Sequence, residues 1–191
     1  TGNSGALELG TGAATAGRGG LIALTVGSGT SGSGGMVEIS AGRSTVHTGG
    51  ALTVASGEGT ASSSGAITIR SANSGDTGGS GMLIFSSGSS KTGNSGALEL
   101  GTGAATAGRG GLIALTVGSG TSGAGGFFNI MSGSSLSKTG GYLDLVSGSG
   151  SLTTSGAVTL RTANSGSEGG SGMLIFSSGS SKTGNSGALE L

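Results

Sequence analysis

The sequence predicts an all-β fold: a β-solenoid with coils of about 15 residues, or, as the alternative, an antiparallel β-meander of one strand per unit. Three observations predict it. A unit of 15 residues recurs along all 191 residues. Each unit carries two large apolar residues separated by one variable residue, the period-2 alternation of a strand with one buried face. Glycine returns at fixed places in the unit, where turns or close backbone approach are needed.

The repeat is nested. TGNSGALEL occurs at Thr1, Thr92 and Thr183, a period of 91 residues. Residues 1–35 and 92–126 differ only at Ser33 against Ala124, and residues 82–96 and 173–187 are identical. The chain is therefore read as one continuous array, 1–191, with superrepeats 6–96 and 97–187. Units start at Ala6, Leu21, Met36, Ala51, Ala66 and Met82, then at Ala97, Leu112, Phe127, Tyr142, Ala157 and Met173, with a partial unit from Ala188. The fifth unit of each superrepeat has 16 residues; in the first superrepeat the extra residue is placed near Gly79-Ser80-Gly81.

Taken position by position, the unit is simple. The second position runs Leu7, Ile22, Val37, Leu52, Ile67, Leu83 and onward to Leu189; the fourth runs Leu9, Leu24, Ile39, Val54, Ile69, Phe85 and onward to Leu191. Every member is large and apolar, whereas the third position varies freely (Glu8, Ala23, Glu38, Thr53, Thr68, Ile84). The seventh position is Gly12, Gly27, Gly42 and Gly57, then Ala72, then Gly88, and the last is always Gly. Helix is a poor alternative, because no 3.6-residue stripe exists and each interior Gly costs about 1 kcal/mol.

One unit cannot fold alone, since two aliphatic side chains do not offset the backbone entropy of their unit. Stacking supplies the deficit in a solenoid, so the two apolar positions are expected to form continuous buried columns. Coils about 4.8 Å apart would advance a six-unit block by about 29 Å. The small second half of the coil, GAATAG or GSGTSG, is expected to close over the aliphatics. No polar capping repeat is present, and the chain begins and ends within a repeat, which reads as a window on a longer fibre.

Composition narrows the function classes. The chain has 48 Gly and no Pro, Cys or Trp. Its 8 Lys+Arg balance 8 Asp+Glu, so no net field favours nucleic acid or an anionic membrane. No apolar run has the length to span a bilayer. Without Cys there is no disulfide framework.

No catalytic, cofactor-binding or metal-ligating residue is assigned, no cofactor is expected, and the chain is not read as an enzyme. Chance matches to Gly-rich motifs are unavoidable at this glycine content, and no phosphate-binding GxxxxGK[ST] occurs. Glu8, Glu38, Glu99, Asp144 and Glu190 share the third position, never in adjacent units, and read as solubilising charge. Arg18 and Arg109, like Arg70 and Arg161, are equivalent pairs read as surface residues. His47, the single His, has Lys138 at the equivalent place 91 residues on, so a metal or catalytic role is disfavoured. Phe127, Phe128 and Tyr142 are apolar departures between the superrepeats, read first as core variants and second as a surface patch.

Thr15, Thr30, Thr45 and Thr60 form a column at the tenth position. Such ladders are similar to those of some insect antifreeze proteins, but the paired Thr two residues on is missing (Gly17, Gly32, His47, Ser62). No Asn begins an N-x-[ST] sequon, which leaves O-glycans as the compatible glycosylation.

The units TGNSGALELGTGAATAG and GGLIALTVGSGTSGSGG resemble the Gly/Ser/Thr-rich, β-solenoid-type repeats of surface proteins and extracellular filaments in microalgae and related protists. The resemblance implies an extracellular or cell-surface setting and carries no catalytic residues with it. The reading that follows is a structural protein forming the shaft of a long fibre by self-association, with lateral chain packing. An adhesin-like or ice- or glycan-binding repeat module is the alternative.

Overall fold

The structure is a computed structural model that describes residues 2–191, and the chain divides into two units, Thr1–Leu98 and Glu99–Leu191. Among the described residues there is neither helix nor strand. Both topologies expected from the sequence, the β-solenoid and the antiparallel meander, are therefore corrected: the chain is coil-like.

Periodicity survives in the bends. In the first unit the backbone bends at 15–17, 30–32, 45–47, 60–62, 76–78 and 91–93. In the second it bends at 106–108, 121–123, 136–138, 151–153, 167–169 and 182–184. Each repeat thus has one bend, at positions ten to twelve (eleven to thirteen in the 16-residue repeats), joined to the next by an irregular arm that carries the apolar positions. A closed coil needs at least two changes of direction per turn, and these repeats supply one.

The physical reason lies in the ratio of apolar area to backbone freedom. A ladder between neighbouring repeats must immobilise arms rich in Gly, the residue with most conformational freedom to lose. The return segments are too small to cover a Leu or Ile, so ordering them removes little apolar area from water. Water meanwhile satisfies the backbone polar groups. Among the described residues four backbone–backbone hydrogen bonds are formed: Gly50 N–H to Gly42 O and Gly65 N–H to Gly57 O, then Gly141 N–H to Gly133 O and Gly156 N–H to Gly148 O, all at 2.8–2.9 Å. A folded domain makes about one hydrogen bond per residue.

Solvent exposure tells the same story. No described residue is buried, and only Gly59, Ser147 and Thr162 are half-buried. The accessible surface is 19,012 Å². A folded monomer of this mass exposes about 7,900 Å² and its extended chain about 25,000 Å². The chain lies much nearer the second figure.

A coil-like chain with four closing bonds should show no cooperative transition in urea or on heating, followed by far-UV circular dichroism at micromolar concentration. A sigmoidal loss of signal with a two-state slope would contradict the structure. The amides of Gly50, Gly65, Gly141 and Gly156 should exchange with solvent about 2–10 times more slowly than those of Gly20 and Gly96, the worth of one exposed hydrogen bond.

Candidate functional site

Two local devices shape the repeats, the first in all of them and the second in some. The first closes the bend. The last Gly of each repeat returns beside the residue at the sixth position, which is Thr11, Val26, Ala41 or Ser56 in the first four repeats. A β-carbon added at Gly20 would stand 2.7 Å from Thr11 Cβ, and one at Gly111 would stand 2.9 Å from Thr102 Cβ. At Gly126 it would lie 2.6 Å from Val117 Cγ1, and Gly35 meets Val26 in the same way. Real β-carbons do not approach so closely, so at these four places the bulky sixth residue requires Gly as its partner. The four backbone hydrogen bonds run across this same closure, from the last position to the seventh.

The second device sits at the ninth position, where the bend begins. In four repeats a Ser hydroxyl there accepts the N–H three residues on: His47 N–H to Ser44 Oγ at 2.9 Å, and Gly93 to Ser90, Lys138 to Ser135 and Gly184 to Ser181, each at 3.0 Å. This is the local Ser turn that competes with regular structure. Other repeats place Gly at the ninth position, and there the carbonyls beyond the bend fold over it. A β-carbon on Gly150 would lie 2.6 Å from Thr154 O, and one on Gly59 would lie 2.8 Å from Ser62 O.

The 16-residue repeats use a third solution. Gly78 and Gly169 have φ of 119° and 128°, a region that L side chains rarely adopt. The longer bend still returns its last Gly to the sixth residue, with Gly81 facing Ser71 and Gly172 facing Thr162. Sequence reading placed the extra residue near Gly79-Ser80-Gly81; the left-handed glycine stands one residue earlier.

Two expectations about the columns are corrected here. The second and fourth positions do not form a buried core: their exposure runs from 49% at Leu83 and Leu174 to 104% at Leu191. The second position is generally the less exposed of the two, with Ile22, Ile67, Ile113 and Leu189 at 51–52%. Phe127 and Tyr142 are 88% exposed, so they are surface residues and not core variants; Phe128 is 58% exposed.

Polar candidates are distributed along the chain. Glu8, Glu38, Glu99, Asp144 and Glu190 stand exposed between the two apolar positions of their repeats. His47 lies in a bend, as do the Thr column residues Thr15, Thr30, Thr45 and Thr60, which fall at or beside the change of direction and not along an arm. Among the described residues no cavity is formed and no group of three or more His, Cys, Asp or Glu is placed to hold a metal ion. No helix among them is long and apolar enough to cross a membrane. Neither a protein-family model, nor a curated protein, nor a solved structure matches this chain.

The most extended regular feature is thus the two series of solvent-exposed apolar residues at the second and fourth positions. Their spacing was legible in the sequence. The pairing of the last Gly with the sixth residue leaves one signal in the sequence: the sixth position is β-branched at Thr11, Val26, Thr102 and Val117, opposite an invariant Gly.

Replacing Ser44 by Ala should speed exchange of the His47 amide by about 2–10-fold, because one exposed hydrogen bond is lost, while leaving the Gly93 amide unchanged. Two-dimensional amide spectra of the variant and the parent would report it. In the same spectra, Gly126→Val should abolish proximity between residues 117 and 126, whereas Gly125→Ala, which meets open space, should preserve it.

Proposed function

We propose that the chain is a structural repeat segment that associates with copies of itself into a long extracellular or cell-surface fibre. One observation carries this reading. Large apolar residues recur twice in every unit, and the single chain leaves every one of them 49% exposed or more. So many exposed large apolar residues mark an interaction surface or an aggregation site. Because each unit is nearly the same, a copy of the chain offers matching apolar positions along its whole length.

Association would withdraw the Leu, Ile, Val and Phe columns from water and would order arms that a single chain cannot hold. Coupling order to binding in this way suits segments with too little apolar area to fold alone. The third-position acids and the Ser, Thr and Arg residues keep the remaining surface hydrated and leave sites for O-glycans. The resemblance of the units to Gly/Ser/Thr-rich repeats of protist surface proteins supports the extracellular setting. The mechanism is mechanical: no step of it requires a reacting group.

Light scattering and electron microscopy against protein concentration test the reading. Above a threshold concentration the parent should form elongated particles and lose accessible apolar surface, read by a hydrophobic dye. Each Leu→Ser or Ile→Ser change in the columns should raise that threshold by about 10–100-fold, the value of burying one aliphatic side chain. A chain that stays monomeric at millimolar concentration would exclude the fibre.

A further inference from the structure

The apolar columns say that copies associate; the acids say in which register. This step rests on the fibre reading. Any arrangement that lays second and fourth positions of one copy over those of another also lays third position over third. Aliphatic matching alone is satisfied by a shift of any whole number of units, because every unit is apolar at both places. The charges are more selective.

The third-position acids fall in the first, third, seventh, tenth and thirteenth units, as Glu8, Glu38, Glu99, Asp144 and Glu190. Copies in register, running in the same direction, set all of these acids against themselves. Shifts of two, three, four, six, seven, nine, ten or twelve units each bring at least one pair of acids together. A shift of one unit brings none: Glu8 meets Ala23, Glu38 meets Thr53 or Ala23, Glu99 meets Ile84 or Ala114, Asp144 meets Asn129 or Thr159, and Glu190 meets Ile175. The other free shifts, of five, eight and eleven units, sacrifice a third or more of the overlap.

We infer that the occupant of the apolar columns is a second copy of this chain, running in the same direction and offset by one repeat unit. The direction follows from growth. Copies that run in opposite directions about a two-fold close as a symmetric pair, whereas a same-direction offset is a heterologous contact, the kind that builds open filaments. The area is ample: the chain exposes about 11,000 Å² beyond a folded chain of its mass, against about 800 Å² that each partner contributes to a standard interface. The bends permit the shift. An offset of one unit sets each 16-residue repeat against a 15-residue one, and the extra residue is held in the bend at Gly78 or Gly169, outside the arms that carry the columns.

Thr53 and Thr68 are exposed, neutral third-position residues of adjacent units, and the chain has no Cys of its own. Thr53→Cys chains are mixed with Thr68→Cys chains under assembling conditions, oxidised with copper phenanthroline and separated without reductant. Disulfides need Cα atoms about 4.4–6.8 Å apart, so the offset register should give 53–68 products roughly tenfold over 53–53 and 68–68 products. Predominant 53–53 and 68–68 products from sedimented fibres would overturn the offset while leaving the fibre reading intact, and a statistical mixture would show that no register is fixed. Absence of fibres at any concentration would overturn both, and would assign the columns to a partner of other chemistry or to none. As a second readout, Thr53→Glu places an acid opposite Glu38 in the offset register. It should raise the assembly threshold severalfold at low salt and much less at high salt, with Thr53→Gln close to the parent; equal behaviour of the two variants would also overturn the offset.

Discussion

About three large apolar side chains for every fifteen residues, only two of them at fixed positions, is the ratio on which the rest of this molecule depends. It is high enough to give each repeat a consistent apolar position and too low to hold the repeat in a fixed conformation. Glycine makes the imbalance worse, because it loses the most backbone freedom on ordering and brings no side chain to bury. The outcome is a chain whose arms are irregular, whose aliphatics face water and whose order is confined to twelve bends. Packing, where it occurs at all, has to come from outside the single chain.

The bends show how much order local chemistry can sustain without a core. Ser44, Ser90, Ser135 and Ser181 each hold a bend with one hydroxyl, and Gly59 and Gly150 achieve the same change of direction by admitting carbonyl oxygens where a side chain would stand. Both solutions return the last Gly to the sixth residue. That closure spans nine residues in ordinary repeats and ten in the long ones, so it tolerates a change in length that a strand ladder would not. Each interaction is weak and exposed, worth about 1 kcal/mol. Because the same closure recurs at equivalent places in both superrepeats, the 91-residue period is a property of conformation as well as of sequence.

What could be read from the sequence divides along the same line. Unit boundaries, the one-residue insertion and the two apolar columns follow from spacing alone. The state of the backbone does not, since alternation reports which residues would share a face if a strand formed, and says nothing about whether a partner exists to form it. The glycines illustrate the difference. Spacing reads those at the last position, such as Gly20 and Gly126, as either turns or places of close approach; they are places of close approach, and the change of direction lies several residues earlier. Phe127 and Tyr142 misled in the opposite sense, because a large aromatic substituting at a regular apolar position suggests a core, and here there is none to enter. The distribution of acids, by contrast, needs no backbone geometry and could be read at once.

The left-handed glycines of the long repeats, Gly78 and Gly169, have a consequence for how such an array can change over time. Tandem copies recombine readily, and each misaligned exchange adds or deletes residues. In a protein built on a closed core, most such events would break the packing. Here the surplus residue is absorbed as a kink between arms, and the next arm starts in phase. The bend acts as an expansion joint, so array length becomes a quantity that selection can adjust without first repairing a fold.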